Sequence, residues 1–183
     1  KAKEILENAG CTMDADGFYE RNGEEIGFVI SVMSGEQDRI DIAQAAAQQL
    51  QEIGINCTVD IPAQMDWGGQ MACLIGWGSP FDADDHTYKV FGTDKGANYS
   101  GYSNEKVDEY LTLARQYEDQ ETRAKYYDLF QEELAKDPAY AFICYIDANY
   151  VADSDIKGIS EKTVLGHHGV GIFWNIQEWE IVK

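Results

Sequence analysis

An eleven-residue stretch, 76–86, concentrates many of the side chains in this sequence that could bind a ligand or carry out chemistry. It contains an indole (Trp77), a phenyl ring (Phe81), three carboxylates and an imidazole (His86). Aromatic rings stack on planar or apolar groups, whereas carboxylates and an imidazole pair with cations, bind metals or transfer protons. The stretch therefore indicates a binding site or, as an alternative from another class of protein, a hydrolase that uses its carboxylates.

The elements on either side predict how this stretch is held. Residues 72–75 form an apolar run typical of a fully buried strand, and the glycines and the proline that follow force a sharp turn. Loops at strand ends often carry binding residues because the sheet holds them rigidly. Downstream we expect one helical turn at 87–91 and a polar loop at 92–103, in which Asn98 is a weaker candidate contact.

Hydrophobic periodicity over the rest of the chain predicts an α/β fold. A strand, a helix and a second strand joined by short loops imply parallel pairing and a right-handed crossover. The expected elements are a helix at 2–9, a hairpin around 18–19, a strand at 26–33, a helix at 40–50, a strand at 55–61, helices capped by Asn104 and Asp119, a central strand at 141–146, an edge strand at 150–152, and a tail anchored by Trp174 and Trp179.

Charge narrows the range of partners. The 183 residues include 33 Asp and Glu but only 14 Lys and Arg, which gives a net charge of −19 at pH 7. Such a field repels phosphate backbones, so we expect no nucleic acid partner. The four cysteines, at 11, 57, 73 and 144, show no CxxC spacing. Buried free thiols are expected, although a Cys57–Cys73 or Cys73–Cys144 bridge is compatible with the sequence.

Motifs for metals and catalysis are weak. Asp82, Asp84, Asp85 and His86 have suitable ligand types but lack the twelve-position calcium pattern. The adjacent pair His167–His168 has no metal-site spacing either. The sequence contains no HExxH, no Gly-x-Ser-x-Gly and no phosphate-binding glycine loop. We therefore predict no metal, no cofactor and no enzymatic activity.

Four segments resemble, in their order and spacing, the C-terminal lobe of family 5 extracellular solute-binding proteins, which serve peptide and nickel ABC importers. They are AKEILENAG, AQQLQEIGINCTVDI, LIGWGSPFDADDH and YSNEKVDEYLTLARQYEDQETRAKYYDLFQEELAKDPA. The resemblance covers nearly the whole chain. It implies a two-lobe receptor, either periplasmic or a cell-surface lipoprotein, that captures a small solute, with a peptide favoured, and delivers it to an ABC permease.

The resemblance also implies the architecture of this chain. Residues 1–183 would form one lobe of a type II periplasmic-binding-protein-like fold, with a mixed, mostly parallel sheet flanked by helices. Residues 165–183 would return towards the missing N-terminal lobe. The sequence begins within a predicted helix, so we expect it to be a piece of a longer protein.

The resemblance assigns roles within the turn. In peptide-binding relatives, an aspartate three residues after the tryptophan holds the ligand's amino terminus, and Pro80 stands at that position here. The Trp-Gly-x-Pro-aromatic-Asp pattern is similar to the nickel-binding branch, in which the aromatic rings line the pocket; these are Trp77 and Phe81. Asp82 is then the candidate partner for a ligand cation, with His86 as a weaker contact. The alternative to a peptide receptor is therefore a nickel or metal-chelate receptor on the same fold.

Overall fold

The computed structural model describes residues 1–78, 82–146, 150–160 and 171–182. The chain divides into two compact units, Lys1–Gly76 and Trp77–Lys183. The predictions for Phe81 and for His167–His168 lie outside the described residues.

The first unit is built around a parallel sheet. Its elements are α1 (Ala2–Asn8), β1 (Thr12–Met13), β2 (Tyr19–Arg21), β3 (Glu24–Glu25), β4 (Gly27–Ser31), α2 (Gln37–Glu52), β5 (Asn56–Asp60) and β6 (Ala72–Cys73). Strands β1, β2 and β3 form an antiparallel sheet, as expected for the hairpin region. Strand β4 lies between β5 and β6 and is parallel to both, so the predicted β4–α2–β5 unit is confirmed.

The core of this unit lies between α2 and the parallel sheet. Val32, Ile40 and Ala43 are buried, with further apolar side chains of the sheet packed against them. Helix α2 ends next to Gly54, which has φ +92°, a conformation that glycine adopts without steric cost. The predicted strand at 72–75 is shorter than expected: only Ala72–Cys73 pair with β4, and these residues are half-buried rather than fully buried.

The second unit is mainly helical. Its elements are α3 (Asp84–Phe91), α4 (Glu105–Ala114), α5 (Gln120–Leu134), β7 (Ile156–Lys157), a 3₁₀ helix (Gly171–Glu178) and β8 (Glu180–Ile181), and β7 pairs antiparallel with β8. Helices α4 and α5 share a buried core whose largest fully buried side chain is Leu111. Both predicted N-caps are confirmed. Asn104 accepts the N–H groups of Lys106 and Val107, and Asp119 accepts that of Thr122.

The strand predicted at 141–146 is wrong. Residues 141–146 belong to no strand, and all six are exposed; Tyr145 is 99% exposed. The predicted edge strand at 150–152 is equally absent, and Val151 is fully exposed. An apolar run becomes a strand only where another strand supplies hydrogen-bond partners, and no described strand lies beside either segment.

The tail and the cysteines differ in part from expectation. Trp179 donates a hydrogen bond to the buried Asn175 and packs against Phe173, whereas Trp174 is exposed and anchors nothing that the structure describes. All four cysteines are free thiols. Cys11 and Cys57 are buried, but Cys144 is exposed, because its segment does not form the predicted strand. Within the described residues, no helix has both the length and the apolar character that a membrane span requires.

Candidate functional site

Trp77 lies at the centre of an aromatic surface in the second unit. Its ring stacks on Tyr99, with the ring planes 13° apart and the centroids 6.2 Å apart. On another side it meets the imidazole of His86 at 5.4 Å, with the planes tilted by 52°. Trp77 is 36% exposed, so part of the indole remains open to a ligand. We call Trp77, His86 and Tyr99 the aromatic surface.

His86 is held in one orientation by the chain that follows Trp77. Its Nδ1 lies 3.1 Å from the carbonyl oxygen of Gly78. A carbonyl oxygen can only accept, so this hydrogen bond requires the proton on Nδ1. In the neutral ring Nε2 then keeps its lone pair, the arrangement in which an imidazole can accept a hydrogen bond or bind a metal. The Oδ2 atom of Asp85 lies 3.6 Å from Nε2, so a cation at this position would also meet a carboxylate.

The three carboxylates of the stretch each have a cationic partner within the unit. The pairs are Asp82–Arg123 at 2.7 Å, Asp84–Arg115 at 3.3 Å and Asp85–Lys89 at 3.2 Å. They lie at the start of α3, which begins at Asp84 rather than at the predicted Thr87. Acidic residues favour this position because the first turn of a helix leaves N–H groups unpaired and carries a partial positive charge.

Asp82 accepts two hydrogen bonds from other groups of the protein. One oxygen, Oδ1, accepts a hydrogen bond from Arg123 and also the backbone N–H of Asp84, at 2.8 Å. The bond from Arg123, and secondly that from the N–H of Asp84, hold the pKa of Asp82 below its ordinary value. Asp82 is therefore ionised at neutral pH. Its other carboxylate oxygen has no hydrogen bond from the described residues and lies on an exposed side chain.

Asn98 organises the loop between α3 and α4. Its amide nitrogen donates to the carbonyl oxygens of Gly92 and Tyr102, at 2.9 and 2.7 Å. Its side-chain oxygen accepts from the backbone of Tyr102 and from the hydroxyl of Ser100, both at 3.1 Å. These bonds occupy both donors and both lone pairs of the amide, so Asn98 shapes the loop that carries its neighbour Tyr99.

Two open depressions lie beside the carboxylates rather than beside the aromatic surface. Their volumes are about 570 and 300 Å³, and both are lined by Asp82 and Arg123. Neither is lined by Trp77, His86 or Tyr99. Both arginines that line them are already paired with carboxylates, Arg123 with Asp82 and Arg115 with Asp84, so an anionic ligand there would have to displace internal ion pairs. The aromatic surface is the better candidate for binding.

The structure thus brings two of the predicted site residues together on one surface and shows that two others make internal hydrogen bonds. Trp77 and His86 share one surface, whereas Asn98 uses its whole amide group, and Asp82 one of its two carboxylate oxygens, in internal hydrogen bonds. Tyr99 is a component that the sequence did not reveal. Its aromatic type inside a polar loop was the available signal, but only the hydrogen bonds of Asn98 place that loop beside Trp77.

The first unit is thus a parallel sheet with a packed helix, and the second is a helical unit that carries the aromatic surface. The protein-family model "Bacterial extracellular solute-binding proteins, family 5 Middle" matches residues 1–100 of this sequence. This chain belongs to that family, as its sequence segments predicted.

Curated relatives support the assignment. The oligopeptide-binding protein AppA of Bacillus subtilis is 26% identical over 198 residues, which cover 100% of this chain and 34% of the relative. Protein XP55 of Streptomyces lividans is 31% identical over 168 residues, which cover 88% of this chain and 31% of the relative. The chain therefore spans about a third of the length of these relatives.

Solved structures share the fold. NikZ from Campylobacter jejuni in complex with Ni(L-His) has a TM-score of 0.81 and 36% identity; the match covers 98% of this chain and 38% of NikZ. AppA from Bacillus subtilis in complex with a nonapeptide has a TM-score of 0.75 at 24% identity and covers 100% of this chain and 37% of AppA. The predicted fold class, one α/β lobe of a periplasmic-binding-protein-like fold, is confirmed.

Proposed function

We propose that this chain is part of the substrate-binding component of an ABC importer. The protein captures a peptide or a similar small solute outside the cytoplasmic membrane and delivers it to the membrane permease. Membership of the family and the similarity to AppA support this role. The observation that carries it at the level of residues is the partly open face of Trp77 between Tyr99 and His86.

The ligand contacts follow from this surface. The open part of Trp77 stacks on the ligand, and Tyr99 and His86 support the indole from two sides. Phe81 is a further aromatic contact of the ligand, as the resemblance implies. Asp82 offers the carboxylate oxygen that Arg123 does not use to a ligand cation, while Asn98 acts through the loop that carries Tyr99.

The architecture is the second part of the proposal. The chain supplies one lobe of the receptor, and residues 165–183 return towards the other lobe. The mature protein is periplasmic or anchored to the cell surface as a lipoprotein. Hinge closure of the two lobes around the solute creates the shape that the permease recognises.

A metal-chelate receptor is the second candidate. NikZ, which shares 36% identity with this chain, was solved in complex with Ni(L-His). His86 has its proton fixed on Nδ1, so Nε2 is available to a metal that arrives with most of its ligands already bound. The described residues contain no group of three or more metal-ligating side chains, which favours a chelate over a bare ion on this candidate.

A hydrolase that uses the carboxylates of this turn receives little support. A general acid needs a raised pKa, and the pKa of Asp82 is lowered by its hydrogen bonds. Each of the three carboxylates is also paired with a cation of the second unit. We therefore propose that the protein is not an enzyme.

The test is a thermal-shift screen of the full-length protein against di- and oligopeptides, nickel with histidine, and sugars. A ligand at one hundred times its dissociation constant stabilises the folded state by about 2.7 kcal/mol. We expect a shift with a peptide that is lost in Trp77→Ala and largely kept in Trp77→Phe, because a phenyl ring preserves stacking. The unfolding temperature of each variant without ligand controls for damage to the fold.

Three outcomes of this screen would change the assignment. A shift confined to nickel with histidine, and lost in His86→Ala, moves the assignment to the chelate receptor. A shift that survives Trp77→Ala unchanged means that the aromatic surface is not the binding site. If none of the solutes shifts the transition, the importer role is overturned.

A further inference from the structure

The ring of Tyr88 in α3 packs against two cations at once. The guanidinium carbon of Arg115 lies 4.0 Å from the ring centroid, and Nζ of Lys95 lies 4.9 Å from it. An aromatic face attracts a cation that lies within about 6 Å of its centroid. Arg115 is the C-cap residue of α4, and Lys95 belongs to the loop that carries Tyr99. Tyr88 therefore connects α3 both to the end of α4 and to this loop.

Arg115 contacts α3 at two residues one helical turn apart. Besides the ring of Tyr88 it contacts Asp84, whose Oδ2 lies 3.3 Å from Nε of the arginine. Asp84 and Tyr88 are four residues apart, so they lie on the same face of the helix. His86 is two residues from each of them, which is about 200° around the helix axis. With Arg115 on one face, the opposite face presents His86 to Trp77, and the two ring centroids are 5.4 Å apart.

Helix α3 is short and depends on contacts with other elements. It has eight residues, and its N-cap residue, Ala83, makes no side-chain hydrogen bond to the first turn. Helices shorter than about 12 residues are marginally stable by themselves in water. The buried residue of α3, Val90, lies near its C-terminal end. The contacts of Arg115 restrain the other end, which carries His86.

Lys95 extends the same arrangement to the loop between α3 and α4. Its side chain lies over the ring of Tyr88, and its carbonyl oxygen accepts the N–H of Asn98, at 3.0 Å. The side chain of Asn98 in turn shapes the backbone that leads past Tyr99. One ring thus contacts both of the elements that flank Trp77.

We propose that Tyr88 is a positioning residue for ligand binding, although it does not touch the ligand. Its contacts with Arg115 and Lys95 hold the aromatic surface in the arrangement that binds. The role belongs to the face of the ring, because the hydroxyl of Tyr88 makes no hydrogen bond with the described residues. The proposal rests on the proposed function and adds to it a residue outside the aromatic surface.

The experiment compares matched variants of the full-length protein. Tyr88→Leu removes the aromatic face but keeps an apolar side chain against the core, whereas Tyr88→Phe keeps the face and removes only the hydroxyl. Arg115→Gln removes one of the cations and serves as the second variant where Tyr88→Leu folds poorly. Arg21→Gln removes the same charge from an exposed position on β2 and is its control.

Two properties are measured well below the unfolding temperature. Calorimetry gives the dissociation constants of pentaalanine and of nickel with L-histidine. The nitrogen NMR shifts of the His86 ring in the ligand-free protein, at a pH at which the imidazole is neutral, report which nitrogen carries the proton. The signals of His86 are identified by their loss in His86→Gln.

In the wild type we expect the proton of His86 on Nδ1, because this nitrogen bonds to the carbonyl oxygen of Gly78. Tyr88→Phe and Arg21→Gln keep this pattern and the dissociation constant of the probe that binds. In Tyr88→Leu and in Arg115→Gln the two nitrogen shifts move towards the average of both tautomers. The dissociation constant rises about fivefold, as expected for the loss of one cation–π contact.

A merely structural role of Tyr88 lowers the unfolding temperature and leaves both readouts unchanged, since the protein remains folded during the measurement. Either readout left unchanged in both Tyr88→Leu and Arg115→Gln overturns the inference. An equal loss of affinity in Tyr88→Phe overturns it as well, because the effect then belongs to the hydroxyl. If the wild type binds neither probe, the proposed function fails, and the nitrogen shifts of His86 decide by themselves whether Tyr88 positions the aromatic surface.

Discussion

Asp82 illustrates how a single carboxylate can hold a turn in place. It ties the start of α3 to α5 through Arg123 and accepts a backbone N–H at the beginning of α3. Both interactions favour the ionised form, and they lower the pKa of Asp82 from its ordinary value of 3.8. Because the folded-state pKa lies below the unfolded value, the stabilisation is present at neutral pH and is lost as the pH falls through the folded-state pKa.

The expected consequence is a pH-dependent effect of Asp82→Asn. At pH 7 the variant has a smaller free energy of unfolding than the wild type, by about 1 kcal/mol or less because the carboxylate is more than half exposed. The difference shrinks below about pH 4 and disappears once Asp82 is protonated in both states. Urea denaturation of the ligand-free protein between pH 2.5 and pH 7 measures it. A difference independent of pH would contradict this account.

At the scale of elements, the loop between α3 and α4 connects the helical core to the aromatic surface. The side chain of Asn98 donates a hydrogen bond to the carbonyl oxygen of Gly92 across the loop. The side chain of Asp108 in α4 accepts the N–H of Thr93, at 2.8 Å. Helix α4 is fixed in turn by its N-cap, Asn104, and by the buried core that it shares with α5. The position of Tyr99 therefore depends on where α4 begins.

Asn104→Ala tests how much the N-cap contributes to stability. The substitution removes an acceptor used by two N–H groups, and we expect a loss of about 1 kcal/mol in the free energy of unfolding. Asn104→Asp keeps an acceptor in place and is the matched control, since aspartate is an equally good N-cap. Chemical denaturation of both variants gives the values. Equal losses in the two variants would show that the cap contributes nothing specific.

At the scale of the whole molecule, the exposed apolar residues of the second unit are the unusual feature. Phe142, Ile143 and Tyr145 are 68%, 57% and 99% exposed. Contiguous exposed apolar surface commonly marks an interface. The chain covers about a third of its relatives' length. Under the function proposed above, we expect the other lobe of the receptor to cover residues 141–146.

Hydrogen exchange can test this coverage. In the 183-residue chain alone, the amides of residues 141–146 lack strand partners and should exchange rapidly. In the full-length receptor we expect exchange at least about tenfold slower, because paired and buried amides open rarely. Amides of the buried helix α4 around Leu111 serve as the reference and should stay protected in both proteins. Equally fast exchange at 141–146 in both would rule out the proposed coverage.

Much of the local structure was predictable because its causes are local. The periodicity of α2, the parallel β4–α2–β5 unit and the caps Asn104 and Asp119 follow from apolar spacing and from side chains that bond neighbouring N–H groups. The run at 141–146 was not predictable in this way. Its composition is that of a strand, but strand formation depends on a partner elsewhere in the protein.

The sequence by itself determined the family and the α/β class, and it predicted Trp77 as a ligand contact, because these depend on the order of motifs and on residue type. Only the tertiary structure decided which side chains surround that tryptophan. It stacks Tyr99 on Trp77, pairs Asp82 with Arg123, and packs the guanidinium of Arg39 against Gly76. Those pairings join residues between 22 and 41 positions apart, and such contacts arise from packing, which spacing along the chain does not encode.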